Sequence, residues 1–240
     1  MQRGRTGRSR RAPRVGASVA VVSPLTIFLT TPPAAWWRAD LGLVSAVGAA
    51  VTLADQTTNG RNLAVLGAGP TVNAADASLS GRQTLTCGAG QSMFNTFSVA
   101  VPYTLLLIAK PTVWNNSNVL LGDNGGRGLV DAGGSPNVFQ QSGLFVNSTP
   151  AALGTWYRFR GKFQNTIADA LKIGTPAETT GAAAGSTALN PSIGINLAGG
   201  VGTGSFDFYE AVILPGIATP AEYAAYDSYV TAKTGGAAQV

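Results

Sequence analysis

The chain has 240 residues, enough to bury a core in one large domain. Only 11% of them are charged, Gly is abundant at 31, and there is one Cys and no His. That inventory excludes an intrachain disulfide, a Ser-His-Asp triad and a Cys/His zinc site. It also disfavours a fold of long helices, which need more Glu, Lys, Leu and Arg.

The net charge of +5 is unevenly placed. Residues 1–14 carry Arg3, Arg5, Arg8, Arg10, Arg11 and Arg14 and no acid, which leaves ten basic and eleven acidic residues for the rest. The body is close to neutral and the excess sits on an arm. A segment of this kind has no apolar periodicity, is expected to be disordered alone, and reads as a tether. Its arginines suit nucleic-acid phosphates or the acidic surface of a partner subunit equally. No aromatic residues are interleaved for base stacking.

Val15 to Leu29 is apolar and rich in β-branched residues, which predicts a hydrophobic strand. Ser23-Pro24 splits the run, and it is too short and broken to cross a bilayer, so no membrane partner is expected. A basic stretch before an apolar one also fits an export signal. Thr31-Pro32-Pro33-Ala34-Ala35 predicts a hinge. Three units follow: an arm, strand and hinge over 1–35, a main domain over 36–234, and a frayed tail over 235–240.

From Trp36 onward, short apolar runs alternate with Gly, Asn, Asp and Pro. Strands are predicted at 36–38, 50–53, 63–65, 84–87, 97–99, 103–110, 118–122, 128–131, 138–140, 144–146, 156–163, 170–173, 192–196 and 206–214. So many short strands at turn-punctuated spacing imply an all-β sandwich or jelly roll. The last is the most apolar, Ser205 to Leu214, and Pro215-Gly216 ends it. A helix follows. Thr219, Pro220 and Glu222 form a Thr-x-x-Glu capping box with proline at the first helical position, Tyr223, Tyr226 and Val230 share one face, and Gly235-Gly236 stop it.

Several of these segments, in order, resemble the concanavalin A-like lectin/glucanase jelly roll in its laminin-G-like form. Trp36-Trp37-Arg38-Ala39-Asp40 is similar to that family's first strand and turn. Val51 to Asn62 is similar to a strand-plus-turn motif ending in Asn-Gly-x-Asn. Tyr103 to Pro111 resembles the long central strand ending in Lys-Pro, Trp156 to Phe163 the strand that begins with Trp, and Ser192-Ile193-Gly194 the strand bearing Ile-Gly. Phe206 to Leu214 with the helix over 219–233 resembles the closing strand and C-terminal helix. The resemblance implies a jelly-roll β-sandwich with one C-terminal helix over residues 36–234. Domains of this form occur in secreted carbohydrate-binding proteins and as modules of bacteriophage virion proteins.

The enzymatic option of that family is glycoside hydrolysis, which needs two carboxylates facing one cleft. Its glucanase branch places them as Glu-x-Asp-x-Glu on one strand, and no two of the eleven acids here share that alternate spacing. Asp207 and Glu210 are closest, but three apart on a regular strand they point to opposite faces. No catalytic residue and no cofactor are therefore expected. Gly122-Asp123-Asn124-Gly125-Gly126, with Asp131 beyond, holds oxygen ligands for calcium but reads first as a turn. Gly199 to Gly204 lacks the Lys and Ser/Thr of a phosphate loop and reads as an ordinary loop. Cys87, Trp36, Trp37 and Trp156 read as core. Trp114, with Asn115 and Asn116 in a polar loop, is the best candidate for a glycan contact.

The leading expectation is a non-enzymatic virion structural protein, a capsid decoration or appendage subunit. Its arm arginines with Val21, Val22, Ile27 and Phe28 would grip capsid or tail subunits. The chain would form a homo-oligomer, with an outward jelly roll able to meet surface glycans and any nucleic acid reached only through the arm. The alternative is a secreted carbohydrate-binding module with residues 1–35 as export signal and linker.

Overall fold

A computed structural model describes residues 22–114, 118–131, 138–141, 145–147, 151–164, 169–181, 188–198 and 205–238. In chain order its elements are α1 (Pro24–Ile27), β1 (Ala35–Arg38), β2 (Leu43–Ala46), β3 (Ala49–Leu53), β4 (Leu63–Gly67), β5 (Thr71–Asp76), β6 (Arg82–Cys87), β7 (Gln91–Asn95) and β8 (Tyr103–Val113). There follow β9 (Asn118–Asp123), β10 (Gly128–Asp131), β11 (Val138–Gln141), β12 (Phe145–Asn147), β13 (Tyr157–Phe163), β14 (Ala170–Ile173), β15 (Thr179–Thr180), β16 (Ile193–Ala198), β17 (Ser205–Leu214) and α2 (Pro220–Thr234).

The pairing is antiparallel and forms two layers. In the first, β17 lies beside β8, and β8 leads on to β13, β14 and β15. The other edge of β17 is shared, with β6 against Phe206–Phe208 and β1 against Glu210–Ile213. The second layer runs β4, β7, β16, β9, β10, β11, β12. Between them lies the main core, where Trp37, Leu107, Phe159 and Phe208 meet Leu63, Met93, Leu121 and Ile195. A second core fills the space between the outer face of the first layer and α2. The protein is thus an all-β sandwich closed by one C-terminal helix.

β17 is buried from Phe206 to Leu214 because both its faces are covered. α2 starts as its sequence dictates. Thr219 Oγ1 accepts from Glu222 N–H at 3.2 Å, and Glu222 Oε2 accepts from Thr219 N–H at 2.9 Å. Gly235 ends the helix at φ 62, a left-handed conformation that glycine adopts without strain. The Val51–Asn62 motif has a physical cause too. Asp55 accepts from the backbone N–H groups of Trp36, Thr57 and Arg61, each at 3.0 Å, and so staples β1 to the turn after β3. Gly194 is required by close strand approach, since a Cβ there would sit 1.9 Å from the Met93 carbonyl oxygen.

The structure departs from the sequence expectations in several places. Within the apolar run expected as a strand, the described part contains a helix, Pro24–Ile27. Pro24 has no N–H for a ladder and suits a first helical turn, while Ser23 N–H donates to Thr26 Oγ1 at 3.0 Å. Ile27 and Phe28, expected at a partner surface, are instead buried against the chain's own helix. Phe28 lies 6.4 Å from the Tyr223 ring and 5.5 Å from that of Tyr226. Residues 97–99 form no strand, only a lone bridge from Val99 to Leu189. β2, β5, β7 and β15 were unforeseen, because half-exposed strands with mixed polar side chains show no clear alternation. In the tail expected to fray, Gly235 and Gly236 are exposed but Ala238 is fully buried. Val21 and the six arm arginines lie outside the described residues.

Candidate functional site

β13 carries the charge of the candidate site. Its Phe159 and Phe163 point into the main core, so Arg158, Arg160 and Lys162, which alternate with them, point to the side covered by α2. On the neighbouring strand Lys172 stands directly opposite Arg160. Arg160, Lys162 and Lys172 line a cleft of about 480 Å³ between β13, β14 and the start of α2, with Tyr223 on the helix side.

Two carboxylates enter the same cleft. Glu178 pairs with Arg160 at 3.0 Å and with Lys162 at 2.9 Å. Asp227 pairs with Arg158, which is almost wholly buried. Tyr223 fixes the geometry. The Arg160 guanidinium lies 4.3 Å and the Lys162 ammonium 5.1 Å from its ring centroid. The Tyr223 hydroxyl lies 3.0 Å from Thr104 Oγ1 and accepts from Ala218 N–H at 3.2 Å. Burial, together with the like charges of Arg160 and Arg158, holds the Lys172 ammonium below its ordinary pKa.

The acids of β17 are arranged differently from the sequence expectation. The ladder with β8 slips between Phe208 and Glu210, so Tyr209 is an extra residue. Phe206, Phe208 and Ala211 all face the main core. The bulge therefore puts Asp207 and Glu210 on the same outer face, where α2 covers Glu210, rather than on opposite faces. Each is fully engaged there. Asp207 accepts from Thr86 Oγ1 at 2.6 Å and pairs with Lys110 at 2.8 Å. Glu210 is fully buried and accepts from the hydroxyls of Tyr226 at 3.0 Å and Tyr229 at 2.8 Å. Burial pushes its carboxyl up to about 7, against those two hydrogen bonds and the nearby Arg38.

Trp114 is half-buried at the end of β8 and packs against the main core. Its indole N–H donates to the Ala151 carbonyl at 3.2 Å, and Gly154 N–H donates to the Pro111 carbonyl at 2.7 Å. The 151–154 loop thus runs alongside Val113 and Trp114, and Val113 and Leu153 are exposed there. Asn115 and Asn116 lie outside the described residues. Trp36 and Trp37 of β1 and Trp156, just before β13, are buried.

The turn at Asp123 is satisfied by the protein itself. Its carboxylate accepts from the backbone N–H groups of Gly125, Arg127 and Asn190 at 2.9, 3.0 and 2.8 Å. Asn124 is exposed in that turn, and Asp131 ends β10. Among the described residues no three His, Cys, Asp or Glu side chains cluster to hold a metal ion. The loop over 199–204 falls outside the described residues. No helix among the described residues is long and apolar enough to cross a membrane.

Sequence reasoning missed the basic cleft. Its one local signal is the alternation of Arg158, Arg160 and Lys162 with aromatic residues and glycine in a strand. Lys172, Glu178, Tyr223 and Asp227 join it only through pairing and helix packing.

No family model matches the chain, and no curated protein matches it. Solved structures do share its fold. An arabinofuranosidase complexed with arabinofuranosyl-α-1,2-xylobiose matches at a TM-score of 0.64 and 13% identity, over 88% of this chain and 65% of that one. The chain thus spans less than two thirds of that protein's length. Domain 4 of AbnA, an extracellular arabinanase from Geobacillus stearothermophilus, in complex with arabinotriose, matches at 0.60 and 15% identity, over 85% of this chain and 98% of the domain. A Trypanosoma rangeli sialidase matches at 0.52 and 12% identity, over 82% of this chain and 32% of the enzyme. At these identities the likeness defines the fold alone, a β-sandwich.

Proposed function

We propose that this chain is a carbohydrate-binding β-sandwich module with no catalytic activity of its own. One observation carries the reading. The match to the arabinanase domain covers 98% of a unit solved with arabinotriose, so the shared architecture is that of a whole domain rather than a fragment of an enzyme. The absence of catalysis is supported by the carboxylates of β17. Hydrolysis needs two carboxyl groups about 5–10 Å apart and open to a sugar. Here Asp207 is held by Thr86 and Lys110, and Glu210 lies sealed beneath α2. Trp114 is the proposed sugar contact, since its ring stays partly open beside exposed Val113 and Leu153.

A glycan array read with the wild type and Trp114→Ala tests this. The wild type is expected to bind at least one saccharide class, and the variant to bind it at least tenfold more weakly. A wild type that binds no saccharide overturns the reading. Hydrolysis of any polysaccharide that is lost in Glu210→Gln overturns the non-catalytic part.

A second reading is favoured by the segregation of charge. All six arginines of the first fourteen residues precede an apolar surface in which Val22, Leu25 and Leu29 are 53, 41 and 74% exposed. In this reading the module is a virion subunit, with the arm and this surface anchored in capsid or tail partners and the sandwich facing outward. Because Phe28 belongs to the body, the informative truncation begins at Val22. Assembly of the full chain and loss of assembly in the truncated one are expected; two identical monomers in sedimentation would remove this reading.

A further inference from the structure

We propose that the cleft between β13, β14 and α2 binds an oxyanion carried by a saccharide, a uronate carboxylate or a sulfate ester. The inference rests on the saccharide-binding reading and specifies the class of sugar.

Charge is the first argument. Among the residues that line the cleft, Arg160, Lys162 and Lys172 face two carboxylates, Glu178 and Asp227, so one positive charge is left over. A purely structural network would balance. Buried ion pairs contribute little to stability compared with apolar packing, and an unmatched cation is a net cost. Lys172 makes that mismatch specific. Glu178 serves Arg160 and Lys162, and Asp227 serves Arg158, whereas Lys172 has no hydrogen-bond or ion-pair partner among the described residues. It sits half-buried across the ladder from Arg160. An incoming anion would offset the burial and the like charges of Arg160 and Arg158 that lower its pKa despite Asp227 and Glu178 nearby.

The second argument is preorganisation. The Arg160 guanidinium is fixed over Tyr223, whose hydroxyl is tied to Thr104 and Ala218, so the cation needs little ordering when a ligand arrives. Its Nε–H is buried without a partner, a residual donor dipole beside the cleft. Guanidinium and ammonium groups together suit the several acceptor oxygens of a carboxylate or sulfate. A volume of about 480 Å³ lies within the range of small-ligand pockets. The cleft opens along the strand edge and not at the Trp114 end of β8, so an acidic unit would be read separately from the aromatic contact.

The test is calorimetric titration of the full chain with a glucuronate-containing or sulfated oligosaccharide, its carboxyl-reduced or desulfated counterpart, and inorganic sulfate. Wild type, Lys172→Gln and Lys172→Arg are compared. The acidic saccharide is expected to bind at least tenfold more tightly than the neutral one, and more weakly as salt is raised. Lys172→Gln should lose most of that preference, keep neutral-saccharide affinity, and unfold at the same or a higher temperature. Lys172→Arg should keep the preference. Equal binding of acidic and neutral saccharides overturns this inference and leaves the saccharide reading standing. Failure to bind either saccharide overturns this inference, including where sulfate alone still binds, and the saccharide reading falls with it only if the glycan array also shows no binding. An acidic preference that survives Lys172→Gln overturns the assignment to this cleft.

Discussion

Along β17, the side chains pointing between the layers are Phe206, Phe208, Ala211 and Ile213, and those on the outer face are Asp207, Tyr209, Glu210 and Val212. Both sets are buried, yet their chemistry differs. The inner set only removes apolar surface from water and packs against another sheet. The outer set buries charge and hydroxyls, and each one needs a named partner. Lys110 answers Asp207, Tyr226 and Tyr229 answer Glu210, and the same face continues into the cationic cleft of β13. The difference shows where specificity is placed. A strand face that packs only on a sheet tolerates any apolar residue of suitable volume, whereas a face beneath a helix, with gaps at its ends, can hold polar groups in fixed positions.

The sharpest way to break the comparison is to damage the inner face. Phe208→Ala should lower stability by about 3–5 kcal/mol, because a ring is removed from a closed interlayer core. Urea denaturation measures it, and a loss below about 1 kcal/mol would mean that this face is not the main source of stability.

The outer face should respond to pH instead. Glu210 holds its proton up to about 7 in the fold, but releases it near its ordinary value of 4.5 when unfolded. The unfolded state then binds fewer protons across that window, so stability falls as pH rises from about 4.5 to about 7, by on the order of 3 kcal/mol, and is level above it. Glu210→Gln should remove that slope and be the more stable protein at pH 8. Thermal unfolding of both at several pH values decides it; parallel profiles would sink the assignment.

The smallest effect is expected where the outer face meets the N-terminal segment. Burial alone would raise the Glu222 carboxyl, but hydrogen bonds from Thr30 and Thr219 hold it down to about 2. Its contribution is present above pH 4.5 and is lost as pH falls toward 2. Glu222→Gln should therefore cost about 1 kcal/mol at pH 7, a typical capping value, and much less near pH 2. An equal cost at both pH values would show that charge plays no part there.

The hairpin of β2 and β3 shows a limit of reading by pattern. Its turn residues, Val47 and Gly48, have φ of 50 and 78, the conformation of a tight two-residue hairpin turn. A β-branched residue at positive φ is not a sequence signal for a turn, so the hairpin was hidden. Trp114 stood out in the sequence because it interrupts a polar stretch, and its environment agrees with a partly open ring. Lys172 gave no such signal, because apart from Glu178, six residues on, its cleft neighbours come from β13 and α2.

What the sequence determined by itself was local and periodic: the closing strand, the capped helix after it, the core tryptophans, and a fold of many short antiparallel strands. Apolar alternation, capping geometry and turn chemistry act over a few residues and can be read in order. Only the tertiary structure decided the rest. The bulge at Tyr209 turned Asp207 and Glu210 to one face, α2 buried Phe28, and ladder register set Lys172 against Arg160. Each depends on which distant segment lies alongside, and a shift of one residue in pairing reverses the face of every side chain that follows.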